Sequence, residues 1–152
     1  MKDKKLIIAK LHADAKVPVY ANEGDACFDF FALIEDVNGL VIQPGEAVAI
    51  RTGLAVEIPK GWRLDIFGRS GLWFKSMVRL GNGVGKIDFG YRSEVMVSLH
   101  NMGSKPYTVK PYERIAQGEL NEVTQATFEV RQYADLSETE RGTGGLGSSG
   151  TH

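Results

Sequence analysis

The sequence predicts an all-β domain, a jelly-roll-like sandwich or barrel with a flexible glycine-rich C-terminal tail. Three observations carry that expectation. Apolar residues alternate with polar ones in many short runs, turn dipeptides fall about every ten residues, and no long window has the period of an amphipathic helix. In chain order, the alternation marks strands at residues 6–11, 47–51, 54–58, 62–67, 94–99 and 127–131. The clearest is 94–99, where Val95, Val97 and Leu99 alternate with Glu94, Met96 and Ser98. Asn38-Gly39, Pro44-Gly45, Thr52-Gly53, Gly103-Ser104 and Lys110-Pro111 read as turns between them, because these residues supply positive φ or fix φ where the chain must reverse. Residues 135–140 could form one or two helical turns.

A chain of 152 residues suits one domain, taken as 1–152 with a β core at 1–133 and an arm at 134–152. Its 18 basic and 19 acidic residues give a formal charge of −1, which offers no bulk attraction to nucleic acid or to a membrane surface. Apolar runs stop at four or five residues, too short to cross a bilayer, and the charged start Met1-Lys2-Asp3-Lys4-Lys5 leads into nothing like a signal peptide. Cys27 has no partner for an internal disulfide. It fits a reducing, cytoplasmic setting (a host cytoplasm if the source is viral), and reads as a packed small residue sooner than a nucleophile.

Glycine is in excess, 18 of 152 residues, and twelve of these lie at 61–71, 81–90 and 142–150. Two of the strings imitate known motifs. Gly142-x-Gly144-x-x-Gly147 has the dinucleotide-binding spacing but no strand before it and no room for a helix after it. Gly81-Asn-Gly-Val-Gly-Lys86 is one residue short of a phosphate loop and continues with Ile87. The polar residues beside the glycines matter more. Arg69-Ser70-Gly71 joins a guanidinium, a hydroxyl and backbone amides, the donors a phosphate chain needs. Between Asn82 and Tyr91, Asp88 follows Ile87, so alternation would turn its carboxylate away from that apolar neighbour and free it to act as a general base. The same stretch could equally be a simple hairpin capped by its Asn and Asp. Arg114 and Gln117, three apart, would face opposite sides of a strand. Arg141 in the tail could clamp an anion. His12, His100 and His152 stand alone, so no zinc site is written, whereas magnesium held by phosphate oxygens and one carboxylate would leave little trace.

These segments, taken in order, resemble the five motifs of the trimeric deoxyuridine triphosphatases (dUTPases). They are residues 21–32 around Asp29, then Gly68-Arg69-Ser70-Gly71-Leu72, then 82–94 with Asp88 and Tyr91, then Glu113-Arg114-Ile-Ala-Gln117, and last 141–150 with Arg141 and Leu146-Gly147-Ser148-Ser149. The resemblance spans 21–150. It implies a homotrimer whose sites are each built from three chains, and the hydrolysis of dUTP to dUMP and pyrophosphate. Such an enzyme limits uracil in DNA and supplies dUMP for dTMP synthesis.

By the same resemblance, Asp88 would direct a water at the α-phosphorus. Asn82 and the backbone through Gly85, Lys86 and Ile87 to Met96 would read uracil, and Tyr91 would lie under the deoxyribose. Arg69, Ser70, Gly71 and Gln117 would hold the phosphates. The tail would close over the nucleotide with Arg141, Ser148 and Ser149 on the γ-phosphate and Leu146 and Gly147 over the base. Asp29 would reach Mg2+ through a water. The chain departs from the family where Leu146 replaces the usual stacking aromatic, where Asp25 and Cys27 stand at small-residue positions, and where Gly68, Ser93 and Tyr112 replace a proline and two glycines. Two other readings stay open at this point. One is a nucleotide-sensing module with a weakened lid, and the other is a dCTP deaminase of related fold.

Overall fold

The computed structural model describes residues 5–145. Ten strands, β1 (Ile7–Lys10), β2 (Phe28–Phe31), β3 (Leu40–Ile42), β4 (Ala47–Glu57), β5 (Trp62–Phe67), β6 (Val78–Leu80), β7 (Gly85–Asp88), β8 (Glu94–Asn101), β9 (Tyr107–Val109) and β10 (Arg114–Glu122), alternate with one helix, α1 (Ser70–Ser76). They form two four-stranded antiparallel sheets, ordered β1-β4-β8-β6 and β2-β10-β5-β7, with a small β3-β9 ribbon. The architecture is the expected all-β jelly roll.

The core lies between the two large sheets. Leu54, Val56, Val95, Val97 and Leu99 from one meet Phe28, Phe30, Leu64, Ile66 and Ala116 from the other. Alternation therefore splits the second sheet into two unlike faces. Leu64 and Ile66, with their cross-strand partners Ile87, Gly85, Leu120 and Gly118, face inward. Arg63, Asp65 and Phe67, with partners Asp88, Lys86, Asn121, Glu119 and Gln117, face outward. The polar side chains of the sheet are thereby gathered on that outer face.

Three local departures from the alternation shape the site. Residues 47–51 and 54–58 are one continuous strand, not two, because Thr52-Gly53 is a bulge and not a turn. The ladder of β4 with β8 shifts register between Arg51 and Ala55, and Gly53 takes φ +69°. Glu94 pins the bulge, accepting from the Gly53 amide at 2.7 Å and from Arg51 Nε at 3.2 Å, while the Thr52 hydroxyl donates to the Val95 carbonyl at 2.7 Å. Next, β6 and β7 do not pair with each other. Residues 81–84 carry the chain from one sheet to the other, so this stretch is a corner and not the simple hairpin that sequence allowed.

The third departure is a register shift in β10 between Arg114 and Ala116. Tyr112, just ahead of β10, holds φ +59°, a region a bulky residue rarely enters, at a position where the resembling family has glycine. Lys16 Nζ lies 4.3 Å over its ring.

Two expectations about secondary structure fail for clear reasons. Residues 127–131 are not a strand in this chain: Phe128 is 95% and Val130 96% exposed, and the segment pairs with no strand among the described residues. Of residues 135–140 only Asp135 is helical, as the last residue of a 3-10 turn at Tyr133–Asp135. The helix α1 escaped the sequence reading because seven residues are too few for a 3.6-residue period to show. Among the described residues no helix is long and apolar enough to cross a membrane.

Gly118 shows how tightly the inner face is packed. A Cβ there would sit 2.8 Å from ring carbons of both Phe28 and Phe30, and the Phe30 side chain is fully buried. Gly118→Ala is therefore expected to destabilise the fold by about 1–3 kcal/mol through overpacking. A urea midpoint equal to that of the parent chain would show that the two rings give way freely.

Candidate active site

The residues singled out from sequence fall into two separate clusters. The first surrounds a cleft of about 530 Å3 between β7 on one sheet and β8 on the other, lined by Asn82, Gly85, Lys86, Ile87, Asp88, Tyr91 and Met96 among others. Asp88 ends β7 on the outer face, turned away from the half-buried Ile87 as alternation requires. Its main-chain carbonyl accepts the Tyr91 amide at 3.0 Å, which closes the following turn. The Tyr91 hydroxyl donates to the Glu94 carbonyl at 2.8 Å. Glu94 thus ties the ring position to the β4 bulge, a positioning role that no spacing in the sequence discloses. Among the described residues the Asp88 carboxylate has no hydrogen-bond or ion-pair partner and stands exposed at the cleft, where a water and a substrate could reach it.

The second cluster lines a pocket of about 440 Å3, bounded by Asp29, Arg69, Ser70, Gly71, Arg114 and Gln117, with Asp25 and Cys27 beside them. Arg69 Nε bonds Asp29 Oδ1 at 2.9 Å, and Arg114 Nη1 bonds Asp29 Oδ2 at 3.2 Å, so one nearly buried carboxylate holds two guanidinium groups side by side. Each arginine has five N–H donors and spends only one on Asp29, which leaves others for an anion. Gln117 Nε2 donates to the Gly68 carbonyl at 3.0 Å and fixes the approach to α1. The first amides of a helix have no acceptors within it, and those of Ser70 and Gly71 fall at this pocket.

Arg114 corrects the expectation that it and Gln117 face opposite sides. The β10 bulge adds a residue between them: Arg114 opposes Phe31, Ala116 opposes Phe30 and Gln117 opposes Asp29. One extra residue reverses the alternation and brings both side chains to one pocket. A bulge leaves no reliable mark in sequence, so Arg114 could not be added to the phosphate group by spacing. Cys27 lines the same pocket. Burial, with the charges of Glu119 and Asp29 adding to it, pushes its thiol pKa up, which disfavours a nucleophilic thiolate.

Beside β7 lies a third, smaller charged group. Asp65, 3% exposed although on the outer face, accepts from Arg63 Nε at 2.9 Å, Lys86 Nζ at 3.2 Å and Asn121 Nδ2 at 3.0 Å. Burial alone would raise its pKa. The hydrogen bonds from Arg63, Lys86 and Asn121, and the Arg63 charge, outweigh that and hold it below the ordinary carboxylate value.

Arg141 stands apart from both pockets, its Nε donating to the Gly144 carbonyl at 3.0 Å. Leu146, Gly147, Ser148 and Ser149 lie outside the described residues. Among the described residues no three His, Cys, Asp or Glu side chains gather as a metal site.

Comparison with known proteins adds to this geometry. A family model described as dUTPase matches residues 13–150. The deoxyuridine 5'-triphosphate nucleotidohydrolase of Nautilia profundicola is 44% identical over 146 residues, covering 96% of this chain and 99% of its own. A mutant dUTPase of Staphylococcus bacteriophage 80alpha, solved with dUpNHpp, matches with TM-score 0.78 at 26% identity, covering 96% of this chain and 98% of that one. A mutant dUTPase from phage phi11 of S. aureus, whose structure concerns the coordination of a structural Mg(II) ion, matches with TM-score 0.72 at 21% identity over 85% of this chain and 98% of that one, a likeness of fold alone.

The Asp65 group yields a pH dependence. A carboxyl whose pKa is depressed by folding stabilises the fold fully above its unfolded value, near 3.9, and that stability is lost as pH falls through the folded value. The urea midpoint of the parent chain should therefore drop more steeply below about pH 4 than that of Asp65→Asn. Parallel curves would remove the group from acid unfolding.

Proposed function

The chain belongs to the dUTPase family and is a deoxyuridine 5'-triphosphate nucleotidohydrolase, and on that premise we propose how its residues divide the work. The observation that carries the reading is the Asp88 carboxylate, unpaired among the described residues and exposed at the cleft that Asn82, Tyr91 and Met96 also line. Asp88 takes the proton of a water aimed at the α-phosphorus of dUTP, and dUMP and pyrophosphate leave. Asn82 and the backbone of Gly85, Lys86, Ile87 and Met96 present hydrogen-bonding groups to the uracil edge. The Tyr91 ring, anchored through its hydroxyl on Glu94, fills the space where a 2′-hydroxyl would sit. Arg69, Ser70, Gly71 and Gln117 hold the phosphate chain, and Arg114 joins them. Arg141 and the segment with Leu146, Gly147, Ser148 and Ser149 complete the enclosure and exclude bulk water.

One chain does not bring its two clusters together. Asp88 opposes Arg63 on β5, while Asp29 opposes Gln117, which opposes Phe67 four residues further along β5. With strands about 4.8 Å apart and about 3.3 Å per residue, Asp88 and Asp29 are separated by roughly 19 Å across the sheet. No triphosphate lies in that phosphate pocket while its α-phosphorus meets a water on the same chain's Asp88. The separation supports a site built between chains, one chain's Asp88 cleft facing a neighbour's phosphate pocket, as in the homotrimer that the family resemblance implies. The exposed Phe128 and Val130 supply apolar surface for such contacts.

Mg2+ suits this arrangement as an ion carried in on the triphosphate. It prefers oxygen ligands, keeps several waters and binds through few carboxylates. Asp29, already bonded to two arginines, would meet it through water. When bound, the ion neutralises phosphate charge and polarises the phosphoryl oxygens. The free thiol of Cys27 accords with a cytoplasmic setting.

Three measurements test the assignment. With dUTP the chain should release pyrophosphate at neutral pH and millimolar Mg2+, and with UTP far more slowly. Asp88→Asn should keep its affinity for a non-hydrolysable dUTP analogue and lose turnover by about 10²–10⁴-fold; full turnover in that variant removes Asp88 as the base. Deleting residues 141–152 should cut kcat sharply and leave the solution mass per particle matched to the same number of chains. Unchanged hydrolysis would make the tail a bystander.

A further inference from the structure

Arg63 is the nearest potential competitor for the base. It lies directly opposite Asp88 on the β5–β7 ladder, so both side chains stand on the same outer face with Cβ atoms about 4.5–5.5 Å apart. A guanidinium at that spacing reaches a carboxylate easily, and pairing would make Asp88 a weaker base. Yet Arg63 is turned the other way. Its Nε donates to both Asp65 oxygens, at 2.9 and 3.1 Å, and its Nη1 donates to the Glu122 carbonyl at 2.9 Å. No Arg63–Asp88 ion pair forms among the described residues. The same carboxylate also takes Lys86, two residues before Asp88 on the same strand face.

We propose that Asp65 is a positioning residue that sequesters Arg63 and Lys86, and so keeps the Asp88 carboxylate unpaired for catalysis. This rests on Asp88 being the general base. Burial makes the arrangement directional. Asp65 is almost wholly enclosed, and breaking its pairing would strand a charge, whereas exposed Asp88 loses little by having only water as a neighbour. The other charged or titratable groups near the pair do not replace Arg63. Glu119 opposes Asp65 on β10, Lys60 lines a recess that Asp88 also borders, and the Tyr91 hydroxyl is committed to the Glu94 carbonyl. Glu122 contributes its main-chain oxygen alone to Arg63.

The test is the pH dependence of kcat in three full-length variants. Asp65→Asn keeps the size of the side chain and releases Arg63. Its kcat should fall at pH 6–8 with KM little changed, and the acid limb of its profile should move down by about one pH unit or more, as for a carboxylate that has gained an arginine. Adding Arg63→Gln to Asp65→Asn should restore most of the kcat and return the limb. Arg63→Gln alone should leave the limb where the parent has it, because Asp65 already withholds that cation. A parental profile in Asp65→Asn, a double variant as impaired as the single one, or an acid limb raised by about a unit in Arg63→Gln would each overturn the proposal. Asp88→Asn separates the two ideas. If it retains turnover, the base assignment fails; if it loses turnover while Asp65→Asn behaves as the parent, only the role of Asp65 fails.

Discussion

The ladder that β5 makes with its neighbours sets the terms for everything else in this molecule. β5 pairs with β7 on one side and β10 on the other, and through β10 it is connected to β2. Its inward residues, Leu64 and Ile66, belong to the core, so its register is enforced by burial: a slip of one residue would bring Arg63 and Asp65 inside. That enforced register places Asp88 at one end of the sheet and the Asp29–Arg69–Arg114 group at the opposite corner. The separation of Asp88 from the Asp29–Arg69–Arg114 pocket is a consequence of strand geometry, and it is the ground for the proposed site built between chains.

Within that frame, small irregularities do the positioning. The β10 bulge brings Arg114 round to Asp29, and the β4 bulge gives Glu94 its amide and guanidinium partners, which in turn steady the backbone that receives Tyr91. Asp29 orders two arginines by standing between them. A chain of net charge −1 can thus present locally concentrated donors to a polyanion without a basic surface. Charge is arranged here by pairing and not by excess.

Much of the fold was legible in sequence where burial alternates cleanly. β5 and β8 carry apolar residues at every second position because one face of each meets the core, and both were expected close to their observed places. What could not be read were features set by tertiary pairing. The Thr52-Gly53 pair has the composition of a turn but serves as a bulge, since Glu94 and Val95 on the neighbouring strand capture its amide and hydroxyl. Residues 127–131 have a strand's pattern but pair with no strand among the described residues, and pairing is a tertiary event that alternation alone does not decide. For the candidate site, the placement of Asp88 facing away from Ile87 was legible because Ile87 is apolar and alternation is local. Arg114 was misplaced because a bulge reverses alternation, and Asp65 was invisible because nothing about one aspartate in an apolar strand says which cations will close over it.

The proposed shared site is tested most directly by mixing two disabled chains. Asp88→Asn chains lack the proposed base and keep the proposed phosphate pocket; Arg69→Gln chains keep that base and lack that pocket's arginine. Each alone should hydrolyse dUTP poorly. If sites are built between chains, subunit exchange in a mixture places an intact Asp88 opposite an intact Arg69, and activity should rise well above the sum of the two parents. Mixed oligomers that form, as seen by mass, yet show no more than that sum would contradict the account.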